Sequence, residues 1–253
     1  MSINRWEIFA HSRHSPTGKN VSVYPVIYAR HPEVFPMQIT SVNLGQPREI
    51  ETPRGIILTS IFKSPVTGRI PVRGHNLVGD RQADLSVHGG PNKAIYAYAS
   101  EHHPYWQSLL NREIVPGHFG ENLTTAGLLE SEVQIADHYR IGSAILKVTQ
   151  PRMPCAKLNL RFNLHTMVKR FWQSGLSGIY FGVVEEGDIA AGDPIELVHR
   201  EPASVTIAEV VQAYKDPADE SLVDRVLASP INAGSWRKDI LEYRESAAPG
   251  QQA

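Results

Sequence analysis

One cysteine occurs in 253 residues, and it stands in VTQPRMPCAKLNL, Val148 to Leu160. Without context, Cys155 reads as a small buried hydrophobe. Its neighbours argue otherwise. Pro151 and Pro154 fix φ at two positions and pre-order the turn, while Arg152 and Lys157 are cations able to stabilise a thiolate. Such a thiolate can attack an electrophile, carry sulfur as a persulfide, or bind a soft metal, and the residues alone leave the three open.

Two further stretches carry polar groups at turns. In DLSVHGGPNKAIYAY, the Gly89-Gly90-Pro91 corner lets the backbone approach a ligand closely, with the His88 imidazole and the Lys93 ammonium on either side; the plain alternative is a hairpin connection. Just upstream, GDRQAD adds Gly79, Asp80, Arg81 and Asp84. In PGHFGENLTTAGL, Phe119, Gly120, Glu121 and Asn122 form a loop whose N–H groups and amide suit a bound ligand, although turns need Gly and Asn anyway.

Several chemistries lack their devices. The 11 histidines include no H-x-x-x-H or H-E-x-x-H pair, and the adjacent His102 and His103 would diverge on a helix, so zinc is not expected. No G-x-S-x-G, G-x-G-x-x-G or G-x-x-x-x-G-K-[ST] occurs, which removes the serine-hydrolase, dinucleotide and P-loop readings. A redox enzyme built this way must take electrons from elsewhere.

The positioning elements read as mainly β. Short β-like runs, QITSVNL, GIILTSIF, KAIYAYA, EVQIA, SAILKVTQ, GIYFGVVE and PIELVH, are separated by Gly and Pro, which predicts a barrel or sandwich. Two helices interrupt them: EHHPYWQSLL, with Ser100 as its expected cap, and NLHTMVKRFWQSG, which sets Met167, Val168, Phe171 and Trp172 on one face before Gly175. After Pro202 three helices are predicted, the first opened by a Thr206-x-x-Glu209 capping box. The expected organisation is thus residues 1–36 as an N-terminal extension of unassigned role, 37–200 as the β domain and 201–253 as a three-helix segment. A net charge of −1 and 42% hydrophobic residues suit a globular chain with no long-range pull on nucleic acid or membrane. A lone cysteine fits a reducing compartment, so the expected address is cytoplasmic.

GDRQAD, HGGPNKAIYAY, EHHPYW, FGENLTTAGLLESEVQIAD and VTQPRMPCAKL together, in this order, resemble the MOSC domain family and its YiiM-like bacterial branch over roughly residues 40 to 200. The resemblance implies a MOSC-type β-barrel, similar to the pyruvate-kinase barrel, that binds the molybdenum cofactor (Mo-molybdopterin), with Cys155 as thiolate ligand to the metal. It also implies reduction of N-hydroxylated compounds such as 6-N-hydroxylaminopurine, as detoxification, with electrons from a separate flavin or iron–sulfur reductase. Arg81, Lys93, Arg152 and Lys157 would serve the cofactor's phosphate, aided by Gly89, Gly90 and Asn122. His88 is the candidate proton donor, or a cofactor contact. Pyridoxal phosphate binding is not expected. The alternatives are a sulfur carrier with a persulfide on Cys155, or a cofactor-binding module without turnover.

Overall fold

The computed structural model describes residues 36–53, 55–83, 89–231 and 234–247. The N-terminal extension, except its last residue, and His88 and Asp84 lie outside the described residues.

Among the described residues thirteen strands and six α-helices follow one another: β1 Gln38–Leu44, β2 Arg48–Thr52, β3 Gly55–Thr59, β4 Ser64–Val66, β5 Ile70–Arg73, β6 Asn76–Leu77, β7 Ile95–Ala99, α1 His103–Leu110, β8 Leu123–Ala126, β9 His138–Ile141, β10 Ala144–Pro151, α2 Lys157–Phe162, α3 Met167–Ser174, β11 Ile179–Glu185, β12 Gly187–Ile189, β13 Ile195–His199, α4 Ile207–Lys215, α5 Glu220–Ala228 and α6 Gly234–Ala247. Eight strands form one mixed sheet in the order β13-β9-β10-β11-β7-β8-β1-β4, beside a three-stranded sheet β12-β5-β6 and a β2-β3 hairpin. Among the described residues its only parallel pair is β7 with β8, whose connection carries α1. The named strand pairs among the described residues do not close a barrel. The sheet nonetheless curls, bringing the approach to β13 onto β1: the Ile39 N–H donates to the Asp193 carbonyl (3.0 Å), and the Ile195 N–H donates to the Met37 carbonyl (2.7 Å). This contact falls short of a strand ladder.

The two-residue period of β10 has its predicted result: Ala144, Leu146 and Val148 are fully buried, while Ile145, Lys147 and Thr149 are half-buried. EVQIA, by contrast, is no strand. Val133 and Ile135 still turn inward, but the Asp137 carboxylate accepts from the Gln134 N–H (3.0 Å) and Ala136 sits at φ 67°, so a turn replaces the ladder. Ser100 is likewise no α-helix cap, because Ser100–His102 is a 3₁₀ turn and α1 starts after it, with proline in its first turn. The other interrupting helix, α3, buries Met167 and Phe171 and ends at Gly175, φ 75°.

One hydrophobic core joins the sheet to the C-terminal helices through residues such as Val210, Val223, Val226 and Trp236. In a second core, Tyr98 of β7 meets Trp106, Phe119, Phe162 and Phe171 of the loops and helices around it. α6 reaches the end of β10, where the buried Trp236 indole N–H donates to the Pro151 carbonyl (3.1 Å). The C-terminal segment therefore steadies the strand end from which the cysteine turn departs. Among the described residues, no helix is long and apolar enough to cross a membrane.

Candidate functional site

Where β10 ends, Arg152, Met153, Pro154 and Cys155 lead into α2, whose first residue is Lys157. Cys155 is half-buried, is in no disulfide, and lies in an open cleft. The same cleft is lined by Thr59, Ser60, Ile61 and Lys63 between β3 and β4, by Gln82, Ala83, Gly89 and Lys93 ahead of β7, by Tyr96 and Tyr180 on β7 and β11, and by Gly120, Asn122, Arg152 and Lys157. Residues far apart in sequence converge because β10, β11 and β7 are successive neighbours in the sheet.

Arg152 is the best-anchored cation. It is 6% exposed, its Nη1 donates to the Phe119 carbonyl, and its guanidinium lies 4.6 Å from the Tyr96 ring centroid and 5.8 Å from that of Phe171. Burial alone would lower its pKa. The Tyr96 and Tyr180 hydroxyls and the Cys155 sulfur outweigh that and hold it above its ordinary value, so Arg152 stays charged beside the thiol. Conversely, burial pushes the Tyr180 hydroxyl up, and both tyrosines remain neutral hydrogen-bonding groups.

The Phe119 carbonyl is presented by a loop that Glu121 ties together. The fully buried Glu121 carboxylate accepts from the Gly117 N–H (2.6 Å), the Phe119 N–H (2.9 Å) and the Thr124 hydroxyl (3.0 Å); burial still leaves its pKa raised. Asn122, the next residue, lines the cleft, but its amide is already engaged: Oδ1 accepts from the Tyr96 N–H (3.2 Å) and Nδ2 donates to Asp80 Oδ2 (3.1 Å). It braces β7 against the Asp80 loop.

The other expected site residues fall as follows. Lys93 and Lys157 are half-buried in the cleft wall, and Gly89 lines it. Gly90 adopts φ 80°, and nothing lies within 4 Å of where its Cβ would stand, so the backbone angle rather than space calls for glycine. Arg81 is exposed and not among the cleft-lining residues; its N–H donates to the Gly45 carbonyl (3.0 Å).

Thr59, Ser60, Lys63, Tyr96 and Tyr180 were missed. Lys63 is 9% exposed and paired with Asp80, and its pKa is lowered because burial outweighs the carboxylate's pull. The Ser60 hydroxyl oxygen is buried without a hydrogen-bond partner among the described residues. A sequence signal exists in Ser60-x-x-Lys63, polar residues at the end of an apolar run: Ser60 falls inside the predicted strand GIILTSIF and Lys63 just beyond it.

The cleft supplies one soft sulfur, the cations of Lys93, Arg152 and Lys157, and an orphaned hydroxyl at Ser60, so the residues present fit a phosphorylated, sulfur-liganded metal cofactor.

A model of the MOSC domain matches residues 84–196. Protein YiiM of Escherichia coli (strain K12) is 35% identical over 192 residues, covering 74% of this chain and 85% of that protein. A protein named Reductase from Gibberella moniliformis is 35% identical over 150 residues, 58% of this chain and 27% of that protein. The crystal structure of YiiM from Geobacillus stearothermophilus superposes with a TM-score of 0.68 at 34% identity, covering 83% of this chain and 100% of that one.

Proposed function

The chain belongs to the MOSC family as a relative of the YiiM proteins, and from that premise we propose that it is a molybdenum-cofactor-dependent reductase of N-hydroxylated compounds, purine bases such as 6-N-hydroxylaminopurine among them. The observation that carries the reading is the convergence of Cys155, Arg152, Lys93 and Lys157 on one open cleft with the unpartnered Ser60 hydroxyl. The curled sheet fits a MOSC-type barrel, and a cytoplasmic address fits the lone thiol.

The net reaction is R–NHOH + 2 e⁻ + 2 H⁺ → R–NH₂ + H₂O. When bound, the cofactor would supply the metal centre for electron and oxygen exchange. The chain would do the rest. Cys155 would offer its sulfur as metal ligand, with the Arg152 charge beside it. Lys93 and Lys157 would neutralise phosphate, with the Ser60 hydroxyl as a further donor. Tyr180 would offer a protonated hydroxyl to a planar base, while the Tyr96 hydroxyl is held by the Ser177 carbonyl (2.8 Å) and its ring backs the Arg152 guanidinium. His88 is the proposed proton donor. A flavin or iron–sulfur reductase is the proposed electron source.

Protein made in a host that synthesises the cofactor should carry molybdenum by mass spectrometry and reduce 6-N-hydroxylaminopurine with reduced viologen. Cys155→Ala should lose both. Full activity in that variant refutes the ligand assignment, cyanide-labile sulfur without metal would establish the sulfur carrier instead, and metal without turnover would leave only a binding module.

A further inference from the structure

A second group of cations borders the cleft without entering it. Phe62 stands between the cleft-lining Ile61 and Lys63, with the Arg48 guanidinium 3.4 Å and the Arg161 guanidinium 5.2 Å from its ring centroid. Arg161 lies on α2, one helical turn beyond Lys157. Next to it, Arg112 donates from Nη1 to the Phe162 carbonyl (2.9 Å), and His118 stacks on the Phe162 ring at 4.6 Å. Arg112 and Arg161 both depress His118, after burial, so these charges face one another.

Among the described residues, Arg69, Arg73, Arg200, Arg225 and Arg244 have carboxylate partners, and Arg81, Arg140, Arg152, Arg170 and Arg237 do not; what sets Arg48, Arg112 and Arg161 apart is that they gather around Phe62 and Phe162. Among the described residues, Arg48, Arg112 and Arg161 make no salt bridge. The one carboxylate that acts on Arg161 is Glu121, itself sealed in the interior. Three unneutralised guanidiniums on one face of a chain of net charge −1 are a local feature that calls for an outside anion. The β2-β3 hairpin that carries Arg48 also shows apolar side chains to solvent, Ile56 being 65% and Leu58 48% exposed. Apolar surface beside arginines suits a protein partner better than a nucleic acid.

We propose that the face formed by Arg48, Phe62, Arg112 and Arg161 docks an acidic electron-carrier protein, a flavin or iron–sulfur protein with carboxylates around its redox group. The inference rests on the reductase reading. Arg48 and Thr59 are partners in the β2-β3 register and Thr59 lines the cleft, so a carrier seated here meets the site across the Thr59–Lys63 segment. For each N–O bond cleaved, two electrons leave the carrier, as one two-electron or two one-electron oxidations, two protons come from solvent, and water is released.

The test uses the full-length, cofactor-loaded protein and the Arg48→Glu/Arg112→Glu variant, both positions being exposed. A flavodoxin and a [2Fe–2S] ferredoxin serve as probes, with calorimetric binding at about 50 mM salt and hydroxylaminopurine reduction driven by reduced carrier or by reduced viologen. Carrier binding and the carrier's KM should each worsen by roughly tenfold or more in the variant, with the viologen-driven rate unchanged. Binding to the unmodified protein should weaken as salt rises, a measurement that stands even if the variant does not fold. The proposal is overturned if neither carrier binds the unmodified protein, if both proteins bind equally, if binding ignores salt, or if duplex DNA binds with the same arginine dependence. Salt-sensitive carrier binding without viologen-driven turnover sinks the reductase reading while leaving the docking face in place.

Discussion

Lys63 and Asp80 form a buried two-point ion pair in the wall of the cleft that holds Cys155, with Nζ 2.5 Å from Oδ1 and 2.6 Å from Oδ2. The Gly45 N–H (2.7 Å) and Asn122 Nδ2 (3.1 Å) complete the carboxylate's shell. Removing one partner leaves a charge stranded, whereas removing both does not. Lys63→Met should therefore destabilise by about 3–5 kcal/mol, and Lys63→Met/Asp80→Leu by clearly less, in urea melts combined as a double-mutant cycle. Additive losses would refute the coupling.

Arg152→Lys keeps the charge but loses the planar fork that meets the Phe119 carbonyl and lies over the Tyr96 ring. We expect a loss of about 2 kcal/mol in stability together with lower molybdenum retention. Retention equal to the unmodified protein would show that charge alone suffices.

Burial lowers His103 to about 4, with His102 adding to it, and lowers His118 to about 4, with Arg161 and Arg112 adding to it. Below the unfolded value of 6.5 the unfolded chain takes up protons that the folded chain refuses, so stability should fall as pH drops from 6.5 toward 4. His118→Gln should flatten melting temperature against pH across that window. An unchanged slope would mean that other groups govern it.

The Thr206 hydroxyl caps α4 by accepting from the Glu209 N–H (3.1 Å), while the Glu209 carboxylate accepts from the Thr206 N–H (2.7 Å). Thr206→Ala should cost about 1 kcal/mol in denaturant unfolding, and should leave cofactor content unaltered, since α4 lies outside the cleft lining.

What a residue's near neighbours determine was legible in the chain itself. The alternation of Ala144, Leu146 and Val148, the Thr206–Glu209 cap, the stop at Gly175 and the proline-stiffened turn around Cys155 each depend on steric and hydrogen-bonding rules that act within a few positions. EVQIA obeyed the strand period and still became a turn, because a side-chain acceptor at Asp137 competed for its backbone. The gathering of the cleft was another matter. Lys63 reaches Asp80, and Arg152 reaches Phe119, only because the sheet order sets β10, β11 and β7 side by side and curls β1 toward β13. Strand order is decided by the burial of the whole core, a sum over distant contacts that no local pattern carries, and so the tertiary structure alone decided which cations stand beside the thiol and which are left facing solvent.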